Sequence, residues 1–391
     1  MSISVRIKKI ENRIKSFQEK NLIKNRFSIS HREKNKIIFN HQLLINFSSN
    51  DYLGLSEHPA VKKAFIAGIE QYGTGSGSSA TLSGYLKPHR DLEENVADFL
   101  KRDRAILFNS GYHANLGALT TFANRNTIIL SDKLCHASLL DGIQLSKAKH
   151  IRFAHRDAEK AESLNEQHRS AILVTESVFS MEGDIAPIDR LAAIAKKNQS
   201  LFLVDDAHGI GILGKTGRGA IEHFNLKQQD LPILITPLGK AMGSLGAIVS
   251  GENSVIDALS QFSKTYRYTT ALPPAISCAT LAALNILKQE TWRREKLQKL
   301  IQFFIIQAKL RSLPLISDDL TPIKSILIGN NAVILKLEKI LLDHGLFVSC
   351  IRPPTVPNNT ARIRISLNCF HAEDDIINLL DKLAIYYEQF K

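Results

Sequence analysis

From Asn50 onward the chain repeats one pattern: apolar runs of four to six residues alternate with segments of helical periodicity. Runs that short, with no polar alternation, are those of strands buried on both faces, which a mostly parallel sheet covered by helices provides. The strand candidates are residues 105–108, 127–130, 171–175, 201–204, 233–235 and 247–249. The expected fold is therefore α/β, with a mostly parallel central sheet in a large domain. Beyond Pro273-Pro274 a long helical pattern runs from 275 to 310, then short strands, a Pro-rich turn at 352–357 and an amphipathic helix from about 372. We read a smaller α+β C-terminal domain there. Ahead of the repeat, residues 1 to about 27 form a basic amphipathic pattern with Val5, Ile10, Ile14 and Phe17 at helical spacing, and an extended stretch follows at 36–47. The divisions expected are 1–49, 50–280 and 281–391.

With 391 residues the chain is long enough for two or three lobes around a large core. No run approaches ~18 apolar residues, and the first residues lack an apolar stretch behind their charges, so a cytoplasmic enzyme is expected. The net charge of +12 is concentrated: residues 1–40 carry +8 of it. Such a segment suits an anionic partner, such as a coenzyme A ester or an acidic carrier protein, as well as a plain solvated helix face. No nucleic-acid motif accompanies it. Cys135, Cys278, Cys350 and Cys369 are scattered without a Cys-x-x-Cys pair, which points to reduced thiols and to neither a metal site nor a disulfide framework.

The chemistry gathers at four places. Asp205 ends the apolar run Leu201-Phe-Leu-Val204, His208 follows three residues later, and Lys240 lies in Thr236-Pro-Leu-Gly-Lys240-Ala. An amine for a Schiff base, a carboxylate to keep a pyridine nitrogen protonated and an imidazole near the ring are what pyridoxal 5'-phosphate requires. A phosphate needs N–H groups at a helix start, and the strand before Ser110-Gly111-Tyr112, with a helical continuation after it, supplies such a joint. Ser180, beyond another strand, suits a loop cap as well as a group reaching the cofactor's edge. Arginine is the side chain best shaped for a carboxylate, and Arg362 and Arg364 alternate with apolar residues on one side of a strand, so spacing does not choose between them.

Two glycine patterns compete with this reading. Gly209-Ile-Gly-Ile-Leu-Gly-Lys215-Thr216 satisfies G-x-x-x-x-G-K-[ST] and would make the chain a nucleotidase, but Gly217-Arg-Gly219 follows where a helix must start. Gly73-Thr-Gly75-Ser-Gly77 follows a helical segment rather than a strand, unlike a dinucleotide fingerprint.

In order along the chain stand Asn46-Phe-Ser-Ser-Asn50-Asp-Tyr-Leu-Gly-Leu, Ser110-Gly111-Tyr112, His136-Ala-Ser-Leu-Leu, Thr175-Glu-Ser-Val-Phe-Ser180-Met-Glu-Gly-Asp, Val204-Asp-Asp-Ala-His208-Gly, Leu238-Gly-Lys240-Ala and Arg352-Pro-Pro-Thr355-Val-Pro. Together they resemble the α-oxoamine synthase family of the class II pyridoxal-phosphate-dependent aminotransferases, and the last segment resembles its biotin-pathway branch more than the glycine-using relatives. The resemblance implies an aspartate-aminotransferase-like (fold type I) transferase. The activity implied is a decarboxylative condensation of L-alanine with pimeloyl-CoA or pimeloyl-acyl carrier protein. It makes Lys240 the Schiff-base lysine, Asp205 the partner of the ring nitrogen and His136 the stacking residue, with Ser180 and His208 at the phenolic oxygen. Ser110, Gly111 and Tyr112 become the phosphate cup. Asn50 and Arg364 match positions that hold the amino-acid carboxylate, and Thr355 a substrate-contacting one. Thr269 and Thr270 match a segment reaching the phosphate from a neighbouring subunit, which implies a homodimer with shared sites.

The sequence also departs from the family. Pro237 stands where a phosphate-binding threonine is usual, with Thr236 one place earlier as the substitute. Ser78 replaces a usual glycine, Asn358-Asn359 replaces a usual x-Gly, and Lys24 and Arg26 compete for a basic role toward the acyl group.

Overall fold

The computed structural model describes residues 3–24 and 26–389. They divide into two compact units. One comprises residues up to 49 together with 181–183 and 298 onward; the other comprises Asn50–Ser180 and Asp184–Leu297.

The first unit opens with helix α1 (Ile3–Glu19) and strands β1 (His31–Glu33), β2 (Lys36–Phe39) and β3 (Gln42–Asn46). The extended stretch of the sequence is thus a hairpin, turning at Asn40 and His41, whose positive φ angles of 47° and 62° match the tight two-residue connection.

In the larger unit, α2 (Pro59–Tyr72) and α3 (Lys87–Leu100) precede β4 (Arg104–Phe108), α4 (Gly111–Phe122), β5 (Ile128–Asp132), α5 (Ala137–Ser146), β6 (Lys149–Phe153), α6 (Ala158–Gln167), β7 (Ile172–Glu176), α7 (Ile188–Lys197) and β8 (Leu201–Asp205). A one-turn helix α8 (Ala220–His223), strands β9 (Ile233–Pro237) and β10 (Ala247–Gly251), and helices α9 (Asn253–Phe262), α10 (Lys264–Arg267) and α11 (Pro274–Gln289) complete it. Seven strands pair in the order β4-β10-β9-β8-β7-β5-β6, parallel except for β10, which runs antiparallel to β4 and β9. All six apolar runs are strands of this sheet. Strand β6, Lys-His-Ile-Arg-Phe, was not expected: as an edge strand it buries only Phe153, so it carries no apolar run.

Strand alternation decides which residues share a face. Ile106, Phe108, Ile129, Ile172, Val174, Leu203, Ile233, Ile235, Ala247 and Val249 form one core with Ala114, Ala118 and Leu119 of α4 and Leu139 and Ile143 of α5. The same parity carries Glu176, Asp205 and Pro237, at the carboxyl ends of β7, β8 and β9, to the α4 face. Carboxyl ends of parallel strands are where such sheets bind ligands.

The chain returns to the first unit along α12 (Trp292–Leu310), followed by β11 (Ile323–Gly329), α13 (Asn331–Asp343), β12 (Leu346–Phe347), β13 (Ser349–Ile351), β14 (Ala361–Ser366) and α14 (Glu373–Gln389). The pattern read as one helix from 275 to 310 is two, α11 and α12. Glu290 leaves the helical conformation, and its carboxylate is held by Arg293 at 2.6 Å and His58 at 3.3 Å. Strand β12 adds parallel to β3, and β11, β14 and β13 form an antiparallel sheet. Asn359 adopts φ 60°, the left-handed conformation that Asn tolerates.

Candidate active site

Each cofactor candidate in the larger unit is placed by an element end. Ser110 is the N-cap of α4: its side chain accepts from the His113 N–H at 3.2 Å, leaving the opening turn of a twelve-residue helix toward the strand ends. Gly111 is required there, because a Cβ at that position would lie 2.8 Å from Cγ of Pro237. That packing answers the question of Thr236. Pro237 faces the Gly111 turn, so its neighbour Thr236 points to the opposite face of β9, where its buried Oγ1 has no hydrogen-bond partner among the described residues. The structure therefore does not bring Thr236 to the Ser110–Tyr112 turn, correcting that expectation.

Asp205 is 4 % exposed, yet among the described residues its hydrogen bonds are to neutral groups: the Asn115 side-chain amide at 2.7 Å and the Ala207 N–H at 3.0 Å. A buried carboxylate without a cation is costly and calls for a positively charged partner. The Asn115 amide also donates to Ser138 Oγ at 2.8 Å, and Ser138 Oγ lies 2.7 Å from Nδ1 of His136, the N-cap of α5. The His136 N–H donates to Glu176 at 2.5 Å. Partial burial, with the nearby Lys240 charge, pushes the His136 imidazole below its usual pKa despite Asp205 pulling the other way, so the ring is neutral near pH 7.

Lys240 Nζ lies 2.9 Å from His208 Nε2, and His208 Nδ1 lies 2.7 Å from the hydroxyl of Tyr52, which reaches Asn50 Oδ1 at 3.2 Å. His208 and Tyr52 are both buried. Asn50, Tyr52, His208 and Lys240 thus form one hydrogen-bonded chain. Ser180, half-buried, ends the segment after β7. Thr269 and Thr270 sit against the same chain's β4–α4 joint: the Asn109 amide donates to Thr270 O at 2.8 Å and reaches Thr269 Oγ1 at 3.4 Å.

The remaining candidates belong to the other unit. Arg362 and Arg364 are each 5 % exposed, so β14 is not a surface strand. Arg362 is committed to Glu182 at 2.8 Å, whereas the Arg364 guanidinium donates to Ser366 Oγ at 2.8 Å. Thr355 Oγ1 accepts from Lys24 at 2.7 Å, and Arg352 donates to the carbonyls of Asn21 and Ile23. Of the two competing basic residues, Lys24 is the one held against this turn. Beside it lies a cavity of about 540 Å³ lined by Gln18, Lys24, Phe27, Glu338, Phe347 and Arg352, among others.

The rival glycine loop is filled by its own chain. The Glu222 carboxylate accepts from the Thr216 N–H at 3.0 Å, the Thr216 hydroxyl at 2.9 Å and the Arg218 N–H at 3.1 Å, so the groups that would cradle a phosphate already hold an anion. Burial pushes the Cys135 thiol well above its usual pKa, which removes it as a nucleophile. No described helix is long and apolar enough to cross a membrane.

Sequence reasoning missed Asn115, Ser138, Tyr52 and Glu176. The nearest signals were Asn115, a polar residue on the otherwise apolar face of α4, and Tyr52 inside the Asn50-Asp-Tyr motif.

A buried acid lacking a cation, an amine beside an imidazole, and a helix start at the same strand ends are the donor set that pyridoxal 5'-phosphate fits. Comparison with known proteins agrees. The model of the aminotransferase class I and II family matches residues 43–383. The 8-amino-7-oxononanoate synthase of Pseudomonas putida F1 is 46 % identical over 357 residues, 91 % of each chain. The crystal structure of the synthase of that name from Francisella tularensis superposes with a TM-score of 0.80 at 36 % identity, covering 88 % of this chain and 99 % of that one. A serine palmitoyltransferase from S. paucimobilis, solved with pyridoxal phosphate and myriocin, gives 0.92 at 24 % identity over 100 % of this chain and 99 % of that one, a likeness of fold alone.

Proposed function

The chain belongs to the aminotransferase class I and II family, and from that premise we propose that it is a pyridoxal-phosphate-dependent C-acyltransferase that makes 8-amino-7-oxononanoate for biotin synthesis. The substrates of this reading are L-alanine and a pimeloyl thioester on coenzyme A or an acyl carrier protein; its location is the cytoplasm. The observation that carries it is the buried Asp205, without a cation among the described residues, in the same unit as the Lys240–His208–Tyr52 chain, in a sequence 46 % identical to synthases of that name.

The chemistry supplied by bound pyridoxal phosphate would be an aldehyde for the amino group of alanine and an electron sink for its α-carbon. Asp205 keeps the ring nitrogen protonated, held in place by Asn115 and the Ala207 N–H. Lys240 would be the group's covalent anchor and, once freed by alanine, the general base for the α-proton. His208 stands against Lys240 to hold or return that proton. His136 would cover the ring with its flat face, while Ser180 and His208 address the phenolic oxygen. Ser110, Gly111 and Tyr112 would bind the phosphate through helix-start N–H groups, and in the homodimer of this reading Thr269 and Thr270 reach the phosphate of the neighbouring subunit's site. Asn50 and Arg364 take the alanine carboxylate, and Thr355 with Lys24 contacts the acyl donor. With the group bound, the alanine α-carbon would displace the thiol from the thioester, and the resulting β-keto acid would lose carbon dioxide and take a proton back at that carbon, the loss of carbon dioxide making the sequence hard to reverse.

A homodimer is part of this reading. Leu82, Phe262 and Tyr268 are 81 %, 69 % and 74 % exposed in the single chain, and Tyr268 adjoins Thr269.

The test is to incubate the protein with pyridoxal phosphate, reduce with borohydride and map the labelled peptide, then assay pimeloyl-CoA and pimeloyl-carrier protein with L-alanine, glycine or serine. Label on Lys240 and an alanine-derived product are expected. Label elsewhere, or a preference for glycine or serine, overturns it.

A further inference from the structure

Outside the groups assigned above, the larger unit contains a second buried charge cluster with no part in the proposed chemistry. The imidazole of His155, just beyond β6, lies between two carboxylates: Nδ1 is 3.0 Å from Asp132 Oδ2 and Nε2 is 2.8 Å from Asp184 Oδ2. Asp132 and Asp184 are 1 % and 6 % exposed. A neutral imidazole has one N–H and cannot donate to both, so the geometry requires the imidazolium. Although burial opposes the charge, the two carboxylates raise this histidine to a pKa of about 9. Among the described residues, the further charged group on the cluster is Arg156, whose guanidinium reaches Asp184 at 3.4 Å.

What the two carboxylates hold gives the cluster its meaning. Asp132, at the end of β5, accepts from the Leu134 N–H at 2.8 Å and the Arg156 N–H at 2.8 Å, which orders the short connection ending at His136. Asp184 closes the base of the segment that contains Ser180: the Phe179 N–H donates to Asp184 O at 3.0 Å, and Val178 bridges Ile185. Phe179, next to Ser180 and fully buried, packs edge-on against the His155 ring, with centroids 4.4 Å apart. One cation thereby fastens the approaches to both His136 and Ser180.

We propose that His155 is a positioning residue for the cofactor: its doubly donating ring locks the connection to His136 and the segment bearing Ser180 in register with each other. The inference rests on the cofactor reading above, through the roles given to His136 and Ser180. It assigns His155 no contact with the reacting atoms.

The test uses the full-length holoenzyme, with His155→Gln, Asp184→Asn and the double variant. Glutamine donates to one carboxylate and turns its oxygen on the other, so His155→Gln is expected to release pyridoxal phosphate faster and lower kcat, each about ten-fold, with KM for L-alanine within two-fold. When Asp184→Asn is added, both bonds can form without an imidazolium, the glutamine amide donating to Asp132 and its oxygen accepting from the new amide at 184, and the double variant is expected to recover most of the cofactor retention and the visible circular dichroism of the bound cofactor. A side chain that merely fills space predicts the opposite, a double variant worse than either single one. Should His155→Gln fail to fold, Asp184→Asn alone is read by NMR of ¹³C-labelled histidine, where the His155 titration is expected to move down from near pH 9. Unchanged cofactor release in His155→Gln, no recovery in the double variant, or an unmoved titration in Asp184→Asn overturns the proposal. If the wild type takes no borohydride label at Lys240, it is the cofactor reading that has failed.

Discussion

Replacing Tyr52 by Phe tests the hydrogen-bonded chain behind Lys240. The Tyr52 hydroxyl is fully buried, 2.7 Å from His208 Nδ1 and 3.2 Å from Asn50 Oδ1, and His208 Nε2 is 2.9 Å from Lys240 Nζ. A hydroxyl has one proton, so two arrangements alternate. When Lys240 donates to His208 Nε2, the Nδ1–H donates to the tyrosine oxygen and the hydroxyl proton turns to Asn50. When Lys240 cannot donate, Nε2 carries the proton and the tyrosine donates to Nδ1. The proposed cycle moves Lys240 between these conditions, and Tyr52 lets the histidine follow at no loss of hydrogen bonds.

Phenylalanine keeps the ring and removes both arrangements. Taking one partner from a buried polar group costs about 1–3 kcal/mol, and at about 1.4 kcal/mol per decade the corresponding loss in kcat is roughly 5- to 150-fold. Because Asn50, assigned to the alanine carboxylate, also loses its Tyr52 contact, KM for L-alanine is expected to rise as well, but by no more than about three-fold, less than the fall in kcat. Steady-state release of the thiol measures both constants, and visible absorbance measures cofactor occupancy. A Tyr52→Phe enzyme with full occupancy and kcat within two-fold of wild type refutes the argument, because the histidine would then be positioned without the tyrosine.

Asp205→Asn removes the charge that is to pair with the ring nitrogen while preserving the Asn115 contact, and kcat is expected to fall about 100- to 1,000-fold, measured with saturating pyridoxal phosphate. Lys215→Ala, in the glycine loop closed by Glu222, is expected to leave the synthase rate within two-fold and to remove no ATP hydrolysis, checked by phosphate release. Tyr268→Asp is expected to shift sedimentation toward the monomer and to reduce activity in parallel, with the melting profile of the monomer unchanged. Glu93 is buried, which raises its carboxyl to about pH 7, above the 4.5 of the unfolded chain. Between those values the folded state binds the extra proton, so this group's contribution to stability falls as pH rises from 4.5 to 7. Glu93→Gln is expected to flatten that part of the Tm–pH curve.

Burial explains which parts of the fold were readable in advance. Six strands of the central sheet are covered on both faces, and each writes itself into the sequence as an apolar run. Strand β6 is an edge that buries one residue of five, and its Lys-His-Ile-Arg-Phe gives no such signal. The break between α11 and α12 is set by Arg293 and His58 gripping Glu290, a contact across 232 residues in the case of the histidine, and no local propensity marks it. Likewise the spacing of Arg362 and Arg364 showed their shared side, but only the packed sheet shows that both are buried and that Arg362 is taken by Glu182.

The candidate site divides along the same line. Asp205, His208, Lys240 and Ser110 stand at the ends of strands or the start of a helix, positions that a pattern of apolar runs locates by itself. Asn115, Ser138 and Tyr52 act through partners 90, 23 and 156 residues away, so their importance exists only after folding. Parity, by contrast, was available and decisive. Ile233 and Ile235 belong to the core under α4, so the next residue on that face of β9 is Pro237, and Thr236 must point away. A hydroxyl one position off in a strand is on the wrong side of the sheet, and no rotamer returns it. The Ser110–Tyr112 turn is therefore built on Gly111 packed against a proline ring, and under the proposed cofactor role phosphate binding would fall to helix-start N–H groups and to Ser110.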